Sequence, residues 1–465
     1  MTTVMKPEQQ GDAALDRAVA ITRDWLETLP VRHVPATGTP EDAAARLGAD
    51  LPEHGAAPAE VIDRLAAAVE PGLMASGSGR FFGWVMGGAL PTAIAADWLV
   101  SAWDQNAGMR DATPGVVAVE EVAALWLLGL LGLPAGSAVG FTTGATMANF
   151  TCLGAARSLV LQRQGWDVAA HGLNGGPRVR VLVGEERHGS VDLALRYLGL
   201  GTPELVASDA QGRLDADDLD ARLTGADGPA IVCLQAGNLH SGAFDPFVRA
   251  TQIARRAGAW VHVDGAFGLW AAVSPTLGPL TEGLGQADSW ATDAHKTLNT
   301  PYDCGIAVVA DSESMRAAMG LHASYLLTPS TVDPHELVPE LSRRARGVPV
   351  WAALASLGAA GVREMIEGLV LAARGIADGV GLIPGASVLN DVVYTQVSVA
   401  FESDERTRQV LERLLADGEV MPSGSVWRGR AVIRFSVSSW RTGPAEVRAT
   451  VAAVQRAART ADTTP

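Results

Sequence analysis

The chain contains only two lysines, Lys6 and Lys296, among 36 basic residues, with arginine supplying the rest. A coding bias toward arginine explains the shortage, and under that bias an indifferent surface site would carry arginine. Lys296 follows His295 in SWATDAHKTLNTPYDCG (Ser289 to Gly305). Its primary amine can condense with an aldehyde, which a guanidinium cannot do. Asp264 ends WVHVD (Trp260 to Asp264), about one β-α unit earlier. Strand alternation puts His262 and Asp264 on one face. Ligands of open α/β sheets sit beyond the carboxyl ends of the strands, where a carboxylate can hold a pyridine nitrogen protonated. Gly265, Ala266 and Gly268 follow, small enough to let a flat ring approach the backbone.

Three more segments end strands in the same way. VGFTTGATMANFTCLGAAR (Val139 to Arg157) reads as strand, turn and helix, and the backbone N–H groups where the turn at Gly144 enters the helix, with the Thr hydroxyls, suit a single phosphate. It matches neither a Walker A loop nor a GxGxxG fingerprint, which disfavours ATP and dinucleotides. GEERHGSV places His188 where an imidazole can stack on a ring, and QAGNLHSGAFD offers Asn238 to a ring substituent. Each has a plainer reading: a surface lysine, a turn aspartate, an ordinary capped helix, a structural histidine. Their succession along the chain, each at a strand end, favours the joint reading: a pyridoxal phosphate (PLP) site of the aspartate aminotransferase type.

The elements that must carry these groups follow from periodicity. Helices are expected over 16–29 and 57–69, with no sheet of their own, so this arm needs a partner surface. From about Pro91, helices over 117–131, 148–164 and 246–257 alternate with apolar runs over 179–184, 230–235 and 259–264, the pattern of buried parallel strands. From near Pro349, a helix over 350–379, strand candidates at 392–401 and 431–437, and a closing helix after Thr442 describe a small α+β domain.

A net charge of -15 argues against nucleic acid or an anionic membrane as partner. Cys152, Cys233 and Cys304 are widely spaced, with no His/Cys cluster at metal-ligand spacing, so reduced, mostly buried thiols and no metal are expected. The N-terminal stretch is polar and no run approaches the ~20 apolar residues of a membrane span. A soluble, cytoplasmic protein is the expectation.

TTGATMAN, HVDGAFG and DAHKTLNTPYDCG resemble the group II PLP-dependent decarboxylases, among them the aromatic-L-amino-acid and glutamate decarboxylases. RFFGWVMGGALP (Arg80 to Pro91), the Trp126 helix ending LLGLP, and LSRRARGVPVWAALASLG (Leu341 to Gly358) match the same family, over roughly residues 75 to 440. The resemblance implies an α/β protein of PLP fold type I: an N-terminal helical arm over 1–89, a large domain over 90–347 with a mainly parallel seven-stranded sheet, and a small α+β domain over 348–465. It implies a homodimer with the active site at the interface. It further implies that Lys296 forms the Schiff base, Asp264 pairs with the ring nitrogen, His188 stacks on the ring, Ala145 and Thr146 hold the phosphate, and Ala266, Asn238 and His295 line the cofactor.

The implied reaction is loss of CO₂ from an L-amino acid, after which Cα must take up a proton. Relatives are credited with a loop tyrosine for this step, but LLTPSTVDPHELVPEL (Leu326 to Leu341) has none. His335 is then the candidate donor, with Tyr325 at the loop's start. Loss of that tyrosine is associated in the family with oxygen-dependent conversion to an aldehyde, so an aldehyde synthase or another lyase on this scaffold is a second expectation. A catalytically silent PLP-binding dimer is a third, opposed by Lys296, Asp264 and His188, since a mere binder needs no electron sink. By the same resemblance, Phe82, Trp84 and Val85, with the segment around Trp103 to Asn106, are expected to line the side-chain pocket, and an aromatic lining favours an aromatic or bulky apolar substrate. Packing of Phe81, Phe82 and Trp84 in the dimer arm is the competing expectation.

Overall fold

The computed structural model describes residues 7–225, 227–320 and 332–461. Tyr325 and Lys6 lie outside them. Seven strands form the larger sheet: β1 Ala138–Thr142, β2 Arg180–Gly184, β3 Glu204–Val206, β4 Ala230–Gln235, β5 Trp260–Asp264, β6 Ser289–Asp293 and β7 Gly305–Val309. Their order is β1-β7-β6-β5-β4-β2-β3, with β7 antiparallel to both neighbours and the pairs among β6, β5, β4, β2 and β3 parallel. β1, β5, β6 and β7 are buried along their whole length, as strands covered by helices on both faces must be. The expected strand over 230–235 matches β4 to the residue. β6 was not anticipated, because SWATD is short and polar at both ends and shows no alternation.

The smaller sheet has four antiparallel strands: β8 Ser387–Val388, β9 Gln396–Ala400, β10 Ser423–Trp427 and β11 Arg430–Ser436, in the order β10-β11-β9-β8. Helices Asp404–Asp417 and Pro444–Ala461 complete its core through Val410, Leu414, Val454 and Ala457. Helix Gly347–Gly381 begins at the expected domain boundary but serves both cores. Val350 and Leu354 pack with the large sheet, and Ala373 and Ile376 with the small one. A kink at Gly358, whose φ of 61° suits only glycine without strain, separates the two halves.

The arm is helices Pro7–Thr28, Pro40–Leu47 and Pro58–Val69, without a strand of its own. Its end is not independent: Phe81 bridges to Met421, and Phe82 donates its N–H to the Met421 carbonyl at 2.8 Å.

One expectation needs correction. Helix Pro114–Leu131 is long and apolar enough to cross a membrane by length and composition. In this fold Val117, Ala123, Leu127 and Leu128 are buried against the rest of the chain. Leu125 and Trp126 remain exposed, with Trp126 stacked on Trp351 at 6.0 Å, and Trp98, Leu99 and Trp103 of helix Pro91–Trp103 are exposed as well.

Candidate active site

The carboxyl ends of β1, β4, β5 and β6 open on one cavity of about 260 Å³, lined by Trp84, Val85, Gly144, Ala145, Thr146, His188, Ser190, Gln235, Gly237, Leu239, Asp264, Ala266, Phe267, Asp293, His295 and Lys296. The sequence-expected lysine, aspartate, histidine pair and phosphate turn therefore meet at one place.

The floor is a chain of paired polar groups. Asp264 is buried, with its pKa raised by that burial and pulled back by the charges of His188 and Lys296, an Ala266 N–H bond and the Asn149 amide. His262 lies one layer below, fully buried, its pKa pushed down to about 3 by desolvation. Its Nε2 is 2.8 Å from Asn149 Oδ1 and its Nδ1 is 2.9 Å from Ser289 Oγ, which itself accepts Trp260 Nε1–H. A neutral His262 thus fixes Asn149, whose amide faces Asp264. A carboxylate buried this deeply is stabilised by a cation placed against it, which is what a protonated ring nitrogen supplies.

Lys296 sits in a turn after β6. Asn299, at a left-handed φ of 58°, donates from Nδ2 to the carbonyls of Lys296, Thr297 and Ser438. Gly87 packs so closely on this turn that a Cβ there would meet the Lys296 carbonyl at 2.1 Å. The same strap brings Trp84 and Val85 to the cavity, both at left-handed φ of 50° and 58°. Such backbone costs about 1–3 kcal/mol per residue and marks a segment held by its surroundings.

His188 does two jobs. Its Nδ1 accepts the Ser190 N–H at 3.2 Å, capping helix Gly189–Tyr197, while its exposed ring lines the cavity. His295 is buried and stacks on Tyr302 at 4.1 Å, with its pKa lowered by desolvation. Tyr302 is pushed up to about 12, mainly by burial and then by the charge of Asp293, so its phenol keeps its proton at neutral pH.

Several expected residues stand elsewhere within the chain. Asn238 does not line the cavity: its Oδ1 accepts the N–H groups of His240 and Ser241, so it shapes its own turn. Phe82 is buried in the small-domain core against Phe435 at 5.7 Å. Trp103 ends its helix exposed, away from the cavity lining. His335 is 5% exposed in a short turn, 3.8 Å from Asp333, and it also misses the lining. Gly265 and Gly268 are small for the protein's own sake, since a Cβ at Gly268 would meet the Ala236 carbonyl at 2.1 Å.

Asp293 was not anticipated. Its carboxylate lies 2.7 Å from Lys296 Nζ, 3.5 Å from His295 Nε2, and accepts the Ala145 N–H at 2.6 Å. The partner that makes it matter is 148 residues upstream, a contact that local pattern does not reveal.

An amine, a buried carboxylate, an imidazole and a helix N-terminus around one cavity are groups that a pyridoxal phosphate enzyme needs. The pyridoxal-dependent decarboxylase conserved domain matches residues 40–401, and the chain belongs to that family. Tryptophan decarboxylase 1 of Oryza sativa subsp. japonica is 27% identical, over 91% of this chain and 89% of its own. Human cysteine sulfinic acid decarboxylase is 25% identical, over 85% of this chain and 83% of its own. Among solved structures, Oryza sativa TDC with PLP and tryptamine is 24% identical and superimposes with a TM-score of 0.91, covering 98% of this chain and 99% of that one. The protein is a PLP-dependent carboxy-lyase acting on an amino acid.

Proposed function

We propose that the enzyme decarboxylates an L-amino acid with a neutral aromatic or bulky apolar side chain, as a homodimer. The observation that carries the substrate class is the cavity lining. Its walls are Trp84, Val85, Leu239 and Phe267, and no arginine lines it among the described residues. A second carboxylate on the substrate would find no cation except Lys296. The tryptophan decarboxylase among the relatives supports this reading; the cysteine sulfinic acid decarboxylase marks the acidic alternative.

When bound, PLP supplies the electron sink that stabilises negative charge at Cα as CO₂ leaves. In the proposed roles, Lys296 provides the amine that attaches the cofactor, Asp264 keeps the ring nitrogen protonated, and His188 covers the ring. Gly144, Ala145 and Thr146 present N–H groups to the phosphate. The apolar wall excludes water from the bond that breaks.

The homodimer is supported by the exposed tryptophans and leucines of helices Pro91–Trp103 and Pro114–Leu131, an apolar face left open among the described residues. The aldehyde-forming alternative keeps one support: Leu326 to Leu341 has no tyrosine, and His335 is buried away from the cavity in one chain. One experiment sorts these readings. Purified enzyme is given a panel of L-amino acids, and CO₂, amine, aldehyde and peroxide are measured, with sedimentation reporting mass. CO₂ and amine from tryptophan, tyrosine or phenylalanine are expected, from a species of two chains. Release from glutamate or cysteine sulfinate alone would overturn the substrate class, and stoichiometric peroxide would overturn the amine product.

A further inference from the structure

Asp293 is the buried carboxylate to which the reading above gives no role. It closes β6 with its side chain 3% exposed. One oxygen takes the N–H of Ala145, the first residue of the 18-residue helix Ala145–Gln162, at 2.6 Å. The other lies 2.7 Å from Lys296 Nζ. Asp293 therefore holds both things the cofactor must claim: an N–H of the phosphate cradle and the amine that binds the aldehyde. A Cβ at Gly144 would come 3.6 Å from the same Oδ1, so the carboxylate stands in the cradle and not beside it.

A carboxylate and a phosphate dianion at one helix N-terminus repel. Groups in this position are known to share a proton, one of the pair retaining it well above its usual range. Lys296 Nζ, 2.7 Å away, is the nearest basic group to Asp293 among the described residues. The other titratable groups around Asp293 supply no further cation. His295, next in its own turn, is driven toward the neutral form by burial. Tyr302 and Cys304, from the segment leading into β7, are held neutral by burial and feel the Asp293 charge. The neighbouring strand β5 contributes Asp264, another anion. The helix contributes the Ala145 N–H and no titratable side chain in its first turn.

We propose that Asp293 is the proton-sharing partner of the cofactor's phosphate: it holds the cradle and Lys296 while the site is empty, and cofactor capture takes up one proton between carboxylate and phosphate. The inference rests on the PLP reading and adds what this chain does with the phosphate. It assigns Asp293 a positioning role, acting through Lys296 and the Ala145 turn.

The test compares PLP with pyridoxal, which lacks the phosphate, on the full-length cofactor-stripped protein. Calorimetry in buffers of different ionisation enthalpy, at about pH 7.5 where free phosphate (pKa about 6) is a dianion, reads the protons taken up. The wild type is expected to take up about one proton more with PLP than with pyridoxal. Asp293→Asn is expected to abolish the difference. The ratio of wild-type to Asn-variant Kd for PLP is expected to rise about tenfold per pH unit between about pH 7 and 8.5. Equal uptake of protons with the two ligands in the wild type would overturn the proposal, whether or not the variant folds. Borohydride trapping on the same samples separates the layers. A trapped adduct with equal proton uptake refutes the Asp293 role alone, whereas no adduct from either ligand refutes the cofactor reading with it.

Discussion

The cavity floor and the segment over 332–347 are both buried and both rich in charge, yet they are built differently. On the floor, Asp264, His262, Asn149, Ser289 and Asp293 all find partners within the chain. In the other region His335 Nδ1, Glu340 Oε2, Arg343 Nε and Arg346 Nη1 are buried with no hydrogen-bond partner among the described residues. That region is anchored all the same. Arg343 makes a two-armed pair with Glu120 at 2.9 and 2.6 Å, Arg316 reaches Glu336 at 3.0 Å, and Asp333 takes the Arg110 N–H at 2.8 Å. A site whose chemistry depends on one protonation state needs its polar groups satisfied locally. The segment over 332–347 leaves these donors and acceptors unmet among the described residues.

The comparison is broken most severely at the anchor. Arg343→Met leaves Glu120 buried and unpaired, its other bond being to the Gly347 N–H, and is expected to cost about 3–5 kcal/mol in denaturant unfolding. Adding Glu120→Leu is expected to recover most of that loss, and a double variant as unstable as the single one would show that the pair is not the anchor. On the floor, Asp264→Asn is expected to lower turnover by on the order of 10²–10³-fold with the fold intact, because the group that keeps the ring nitrogen protonated is lost. Turnover within a few-fold of wild type would remove Asp264 from that role. The gentlest probe is pH. His262 has a folded pKa of about 3 against 6.5 unfolded, so below 6.5 the unfolded chain binds a proton that the native one refuses. Stability is therefore expected to fall with pH through that window, by up to about 1.4 kcal/mol per pH unit from this group. His262→Gln is expected to flatten the slope, as followed by unfolding at pH 4.5 to 7, values spanning roughly the window above.

What was legible in the sequence follows the same divide. Lys296 stood out because arginine had displaced lysine nearly everywhere else, and Asp264 because strand alternation set its face and the strand end its place. Ala145, Thr146 and His188 were readable as strand-end groups, and all reach the cavity. Asn238 carried the same signature but turns inward to its own loop, since a short amide fits an Asx turn as readily as a ring. Phe82 illustrates the other failure: an aromatic residue near the site is recognisable, whereas its partner Phe435 is not. Asp293 was invisible because its meaning lies in contacts with Ala145 and Lys296, and the strand that presents it shows no periodicity. His335 was chosen for its chemistry alone, and burial places it away from the cavity in a single chain.

Because the chain has only two lysines, its central claim can be tested at residue resolution. The purified enzyme, saturated with PLP, is reduced with borohydride, digested and mapped by mass spectrometry. The account predicts a pyridoxyl group on Lys296, near one per chain, with Lys296→Ala colourless and unlabelled. Label on Lys6 or on neither lysine would contradict it.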